Sequence, residues 1–288
     1  MNRAFEAFLL LIITLARSYL AEACLDVDAN LMNTIHPRQA GKDVCDTGIR
    51  QSPINIDTTK CTNGEFKCDL EWFFHSGPLT MTNSGVRVDV LYTRTDVRPY
   101  ISGGPLSDKR YSHLNTHFHW AAVDAEGSDH SIDGVFGPLE MHCVYINQAY
   151  TSLQEAMEQS DGICVVAIIF KLSSTDNPDL SGIMEGVNNV KAASGSVFAL
   201  QNNALDFAVK EVFSEQCFYN YPGSLTTTPC SEAVNWIVMK KTVPISSAQV
   251  ALFRQVVDTN GNPILSYKRD PQPLNGRKVL CSGCRCGL

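Results

Sequence analysis

Short runs of β-branched and apolar residues, each closed by a turn cluster, recur along most of this chain and restrict it to a sheet-dominated fold. The runs are Val86 to Tyr92, His117 to Val123, Leu139 to Ile146, Cys164 to Leu172 and Trp236 to Val243. Between them lie Asn83-Ser84-Gly85, Ser102-Gly103-Gly104-Pro105, Glu126-Gly127-Ser128-Asp129 and Asp176-Asn177-Pro178, whose residues favour tight turns. Helical periodicity is weaker. It predicts short helices over Ser152 to Ser160, Pro178 to Val190 (Leu180, Ile183, Met184 and Val187 on one face) and Ser247 to Val256. No linker-like stretch interrupts the pattern, so one domain is expected over 24–288, mainly β with short helices.

The N-terminus reads differently. Arg3 precedes an apolar run from Phe8 to Ala16, and Ala21-Glu22-Ala23 places small residues where a signal peptidase cuts. Residues 1–23 are therefore expected to be a secretory signal, with a secreted, extracellular mature chain. The run is too short to span a hydrocarbon core of ~30 Å comfortably, and no membrane span is expected elsewhere. With 23 basic and 30 acidic side chains the formal charge is −7, and no Lys/Arg run offers a surface for nucleic acid. Eleven cysteines suit an oxidising compartment, and their odd number leaves at least one thiol free or shared with another chain. The tail, Cys281-x2-Cys284-x-Cys286, reads as half a metal site, as a bridged tail, or as a link between two chains in a disulfide-linked dimer.

The densest chemical signal is Asn115-Thr116-His117-Phe118-His119-Trp120. Side chains alternate along a strand, so His117 and His119 project from one face. In Leu139-Glu140-Met141-His142-Cys143-Val144, His142 shares a face with Glu140 and Val144. Three neutral imidazoles with an open fourth position make the ligand set of a catalytic zinc rather than a structural one. Asn115 and Glu140 each precede a histidine by two residues and so can accept the imidazole's other N–H, fixing its tautomer. The loop from Tyr221 to Cys230 adds hydroxyls at Ser224, Thr226, Thr227 and Thr228.

With these motifs in order, the chain resembles the secreted α-class carbonic anhydrases from about Arg50 to Val279. The motifs are RQSPINI at 50–56, GGPL at 103–106, HFHW at 117–120, GSDHSID at 127–133, LEMH at 139–142, YPGSLTTTP at 221–229 and PQPLNGR at 271–277. The resemblance implies a large, mostly antiparallel twisted sheet with Zn2+ in a conical cleft. It implies reversible hydration of CO2 to bicarbonate and a proton by attack of zinc-generated hydroxide, and inhibition by sulfonamide-type compounds. His117, His119 and His142 match the zinc ligands, and Thr226 the threonine that orients the nucleophile. Asp129 stands where the family usually has the glutamate behind that threonine. Val144, Val165, Leu225, Val234, Trp236 and Thr227 match the substrate pocket, and Tyr221 and His130 match residues that support the site from behind. Cys45 and Cys230 lie near the positions of a disulfide found in secreted members, and Cys61–Cys68 is a further local candidate.

The chain also departs from the family. Val86 occupies the proton-shuttle position, where fast members carry histidine, which implies a slower, buffer-dependent enzyme. Asp129 and Asn115 are each one methylene shorter than the usual residue, and Thr228 replaces a common proline. The aromatic entry motif expected before Arg50 is not evident between Cys24 and Ile49. His36, His75 and His113 are expected to be solvated. Cys143 and Cys164 are expected to be buried free thiols. A competing reading is a non-catalytic binding, storage or biomineral-matrix protein on the same fold; loss of ligand histidines usually marks such relatives, and all three are present. A dedicated ester hydrolase is the other competitor, with weak esterase activity expected only as a side reaction.

Overall fold

The computed structural model describes residues 43–282 apart from 67, 75, 95–97 and 214–215. The segment expected to be a signal, 1–23, lies outside the described residues, as do His36, His75, Cys284 and Cys286. Among the described residues the fold is mostly β. A thirteen-stranded mixed sheet runs, in spatial order, through Val197–Leu200, Leu79–Asn83, Val88–Tyr92, Tyr111–Trp120, Leu139–Asn147, Ile163–Ser173, Val234–Met239, Phe218–Gly223, Leu280–Cys281 and Thr62–Asn63, with three further strands off this path. Pairing is antiparallel except where Ile163–Ser173 meets Val234–Met239 and Val243–Ser246, and where Leu280–Cys281 meets Thr62–Asn63. A small sheet of Asn55–Ile56, Ser131–Ile132 and Val135–Phe136 stands apart.

The central strands are buried on both faces, and for this reason Ile163–Ser173 opens as a continuous apolar run rather than an alternating one. One face packs the main core: Phe118, Met141, Cys143, Tyr145, Cys164, Val166, Ile168 and Ile237 belong to it. The other face carries the interposed residues, including Asn115, His117, His119, Glu140, His142, Val144 and Val165. Helix Ser181–Val190 covers the core side through Ile183, Val187 and Val190. Its expected first turn is instead a separate 3-10 turn, Pro178–Leu180, capped by the Asn177 side chain on Asp179 N–H. The other two expected helices form as Leu153–Met157 and Ser247–Phe253, each behind a serine cap.

Among the described residues, two disulfides join distant parts of the chain. Cys45–Cys230 closes a separation of 185 residues, and Cys61–Cys281 one of 220. The second corrects the expected local bridge Cys61–Cys68: parallel pairing of Thr62–Asn63 with Leu280–Cys281 brings Cys61 to Cys281 and leaves Cys68 exposed with a free thiol. Engagement of Cys281 within the chain also removes it as a thiolate ligand or as the link of a dimer. Cys143 and Cys164 are buried free thiols, and burial pushes the Cys143 thiol up to about 12.

Candidate metal centre

The two central antiparallel strands bring the three imidazoles together by register. His142 lies directly opposite His117, and Glu140 opposite His119. All three histidines are buried, and one nitrogen from each falls within 4.8 Å of the others. The remaining ring nitrogens are occupied. His117 Nδ1 is 3.1 Å from Asn115 Oδ1, His119 Nδ1 is 3.2 Å from the Tyr267 carbonyl oxygen, and His142 Nε2 is 2.6 Å from Glu140 Oε1. Donation to those acceptors leaves His117 Nε2, His119 Nε2 and His142 Nδ1 as lone-pair donors facing one point. His119 Nε2 is buried with no hydrogen-bond partner, a cost that a metal ion at that point would remove. The residues therefore fit a tetrahedral zinc with one open position.

Electrostatics keeps the imidazoles of His117 and His142 neutral. Burial, the nearby Arg87 guanidinium and the two neighbouring imidazoles hold His117 well below the ordinary histidine value. Burial brings His142 to about 4, against an opposing pull from Glu140. Burial alone would raise the Glu140 carboxyl, but His130 and His142 outweigh it and hold it well below the carboxylate range. Neutral imidazoles beside an ionised acceptor are the protonation states that metal ligation needs.

Behind His142 runs a buried chain of polar groups. Glu140 also accepts from His130 Nδ1 at 2.7 Å and from the His130 backbone N–H at 2.8 Å. With Nδ1–H so used, His130 Nε2 accepts the Tyr221 hydroxyl at 2.7 Å, and that hydroxyl lies 3.0 Å from Ser52 Oγ. Ser52 and Ser224 exchange backbone-to-hydroxyl bonds at 2.9 and 3.0 Å, tying the 50–56 segment to the loop that carries Thr226. Gly223 permits this approach, since a β-carbon there would lie 2.1 Å from Ser52 Oγ. Cys45–Cys230 and the bond from Trp236 Nε1 to the Ser224 carbonyl hold the same loop from two more sides.

The apolar residues expected near the site form a row across the sheet. Val144 pairs with Val165, Val165 with Trp236, and Trp236 with Tyr221. Val144, Val165, Val234 and Trp236 are buried; Leu225, Thr226 and Thr227 are half-buried. The Trp236 ring is 4.9 Å from that of His142. Val86, 40% exposed, lies in the turn leading to Val88–Tyr92, whose Asp89 is in register with His117.

Other expectations resolve differently. Asp129 does not meet the Thr226 hydroxyl. Its Oδ1 accepts the Arg269 backbone N–H at 3.0 Å and lies 3.2 Å from His119 Nδ1, while its buried Oδ2 has no partner. His113, expected to be solvated, is buried instead. Parity would place it on the metal face, but Val144 pairs with Asn115 and Tyr145 with His113, so Leu114 is an extra residue. That bulge turns His113 to the core face, where its Nε2 is 2.9 Å from Thr116 Oγ1. Sequence reasoning also missed Tyr267, Arg87 and Asp89, all of which reach the site. Only Arg87-x-Asp89, alternating on a strand, was available as a signal.

The chain is similar to known proteins over most of its length. Residues 37–283 match the family described as eukaryotic-type carbonic anhydrase. Carbonic anhydrase 15 of Mus musculus is 34% identical over 248 residues, covering 82% of this chain and 76% of that protein. Carbonic anhydrase 7 of Mus musculus and of Homo sapiens are each 32% identical over 248 residues, covering 82% of this chain and 89% of each relative.

Proposed function

The chain belongs to the eukaryotic-type carbonic anhydrase family, enzymes whose general activity is CO2 hydration, and from that premise we propose that it hydrates CO2 reversibly at His117, His119 and His142 and lacks an internal proton shuttle. The observation that carries this reading is the convergence of three imidazole nitrogens within 4.8 Å, each imidazole held through its other nitrogen. A zinc ion in that site supplies a Lewis acid that brings the pKa of water to about 7, and so a hydroxide nucleophile at neutral pH. Asn115, the Tyr267 carbonyl and Glu140 fix the three tautomers. The Val144–Val165–Trp236 row, with Val234, Leu225 and Thr227, offers an apolar surface to an apolar substrate that needs no charged clamp. The Thr226 hydroxyl, carried on the tethered loop, is the group to orient the nucleophile's proton. Asp129 keeps its charge but is directed to His119 and Arg269, so Thr226 has weaker support than a glutamate would give.

Proton removal is the slow step in this reading. Valine carries no proton, and the other described histidines are His130, inside the polar chain, and His113, on the opposite sheet face. External buffer then takes the proton. The disulfides Cys45–Cys230 and Cys61–Cys281 support an oxidising compartment and so secretion of the mature chain. Among the described residues no helix is long and apolar enough to cross a membrane. The test is stopped-flow CO2 hydration by the zinc-loaded chain at low and high buffer, with and without a sulfonamide. Sulfonamide-sensitive turnover that rises with buffer is expected. A folded, zinc-loaded chain with no turnover would overturn the catalytic reading in favour of a binding or matrix role.

A further inference from the structure

Two buried side chains, Arg87 and Asp89, reach His119 through the half-buried Tyr267. Arg87 is 3% exposed and Asp89 2%. A guanidinium buried to that extent is costly unless its N–H groups are paired. Arg87 Nε donates to Asp89 Oδ1 at 2.8 Å, and Nη1 donates to the Tyr267 hydroxyl at 3.0 Å. Tyr267 is in turn fixed to the metal-bearing strand. Its ring lies on the His119 imidazole, centroids 5.0 Å apart and planes 17° from parallel. Its carbonyl accepts from His119 Nδ1 at 3.2 Å and from Trp120 N–H at 3.3 Å, while its own N–H donates to the Trp120 carbonyl at 2.8 Å.

The backbone alone gives Tyr267 little support. Its bridge to Trp120 is isolated, with no ladder continuing on either side. The Arg269 N–H bond to Asp129 ties the segment two residues on, and the Tyr267 side chain adds an anchor of its own at the Arg87–Asp89 pair. Asp89 stands directly opposite His117, so the anchor is built on the strand that flanks the site.

We propose that Arg87, Asp89 and Tyr267 form a clamp that positions His119 as a metal ligand, with Tyr267 the positioning residue and the buried ion pair its anchor. The inference rests on reading His119 as a ligand. The ring restrains rotation of the imidazole about its bond to the strand, and the carbonyl, with Asp129 Oδ1 at the same distance, fixes its tautomer. The clamp therefore slows release of the metal without touching substrate.

The test uses the zinc-loaded full chain and two variants. Tyr267→Leu keeps the carbonyl and removes the ring and hydroxyl. Tyr267→Phe keeps the ring and removes only the anchor. Zinc release to an excess of chromophoric chelator is timed, the visible spectrum of the cobalt-substituted forms is recorded, and melting temperatures of the apo forms are measured. Tyr267→Leu is expected to release zinc about tenfold faster or more, with an altered cobalt spectrum, and Tyr267→Phe to lie between it and the parent. A parent-like release rate and spectrum in Tyr267→Leu would overturn the clamp, even if its melting temperature fell. Should Tyr267→Leu fail to fold, a parent-like release rate in Tyr267→Phe overturns it. A parent chain that binds no stoichiometric zinc would instead overturn the ligand reading on which the clamp depends.

Discussion

Replacing Glu140 by glutamine removes one charge and one acceptor at the most densely bonded point of the site. Glu140 is fully buried and accepts three hydrogen bonds, two at Oε1 from His130 Nδ1 and His142 Nε2 and one at Oε2 from His130 N–H. Bonds to a charged acceptor each contribute about 1.5–3 kcal/mol, and a buried donor left unpaired costs about 1–3 kcal/mol. A glutamine with its oxygen at the Oε1 position keeps two bonds in neutral form and turns its NH2 against the His130 N–H. The opposite orientation faces both imidazoles with a donor and drives the His142 proton onto Nδ1, the nitrogen left for the metal. The milder orientation loses about 2–4 kcal/mol, shared between fold and metal. Zinc affinity should therefore fall roughly 10- to 100-fold. Competition with a chelator measures it, and melting of the apo form measures the share borne by the fold. A folded Glu140→Gln chain binding zinc as tightly as the parent would refute the assignment of Glu140 as the acceptor that sets the His142 tautomer.

Three other perturbations probe different residues. Val86→His should raise turnover several-fold at low buffer and little at high buffer; equal rates at low buffer would mean that proton removal does not limit. Asp129→Glu should extend the carboxylate toward Thr226 and raise turnover modestly, and an unchanged or lower rate would count against the shortened side chain as a handicap. His113 is held neutral at about 3, chiefly by burial and then by the Arg98 charge, whereas an unfolded histidine takes up its proton near 6.5. Its depressed value gives stability that is present above about pH 6.5 and is lost as pH falls toward 3, up to about 3 kcal/mol by pH 4. Denaturant melts of the parent and of His113→Leu between pH 7 and 4 should show the parent losing stability relative to the variant as pH drops, by up to about 3 kcal/mol; parallel curves would refute this.

The three-histidine cluster was legible because strand parity is local. Asn115, His117 and His119 share a face by alternation, as do Glu140 and His142, and the structure keeps both sets together. His113, expected to be solvated, was misplaced because one extra residue, Leu114, turns it to the core face, and nothing in the local sequence marks the bulge. The apolar row was legible only through family resemblance, since register between strands is not encoded by either strand alone. Tyr267 escaped notice because it reaches His119 from 148 residues away along an irregular segment. Cys61 was misassigned for the same reason: its partner depends on a pairing across 220 residues. Asp129 was legible as a shortened acceptor, but its pairing with the Arg269 backbone N–H, 140 residues away, was not.

The central claim, that three imidazoles hold one catalytic zinc, is tested most directly by titrating metal-free chain with Zn2+ while following CO2 hydration. Turnover should rise linearly to one equivalent and then stay flat, and His119→Asn should show neither tight binding nor turnover under the same titration. Turnover that is independent of added zinc, or that survives intact in His119→Asn, would contradict the account.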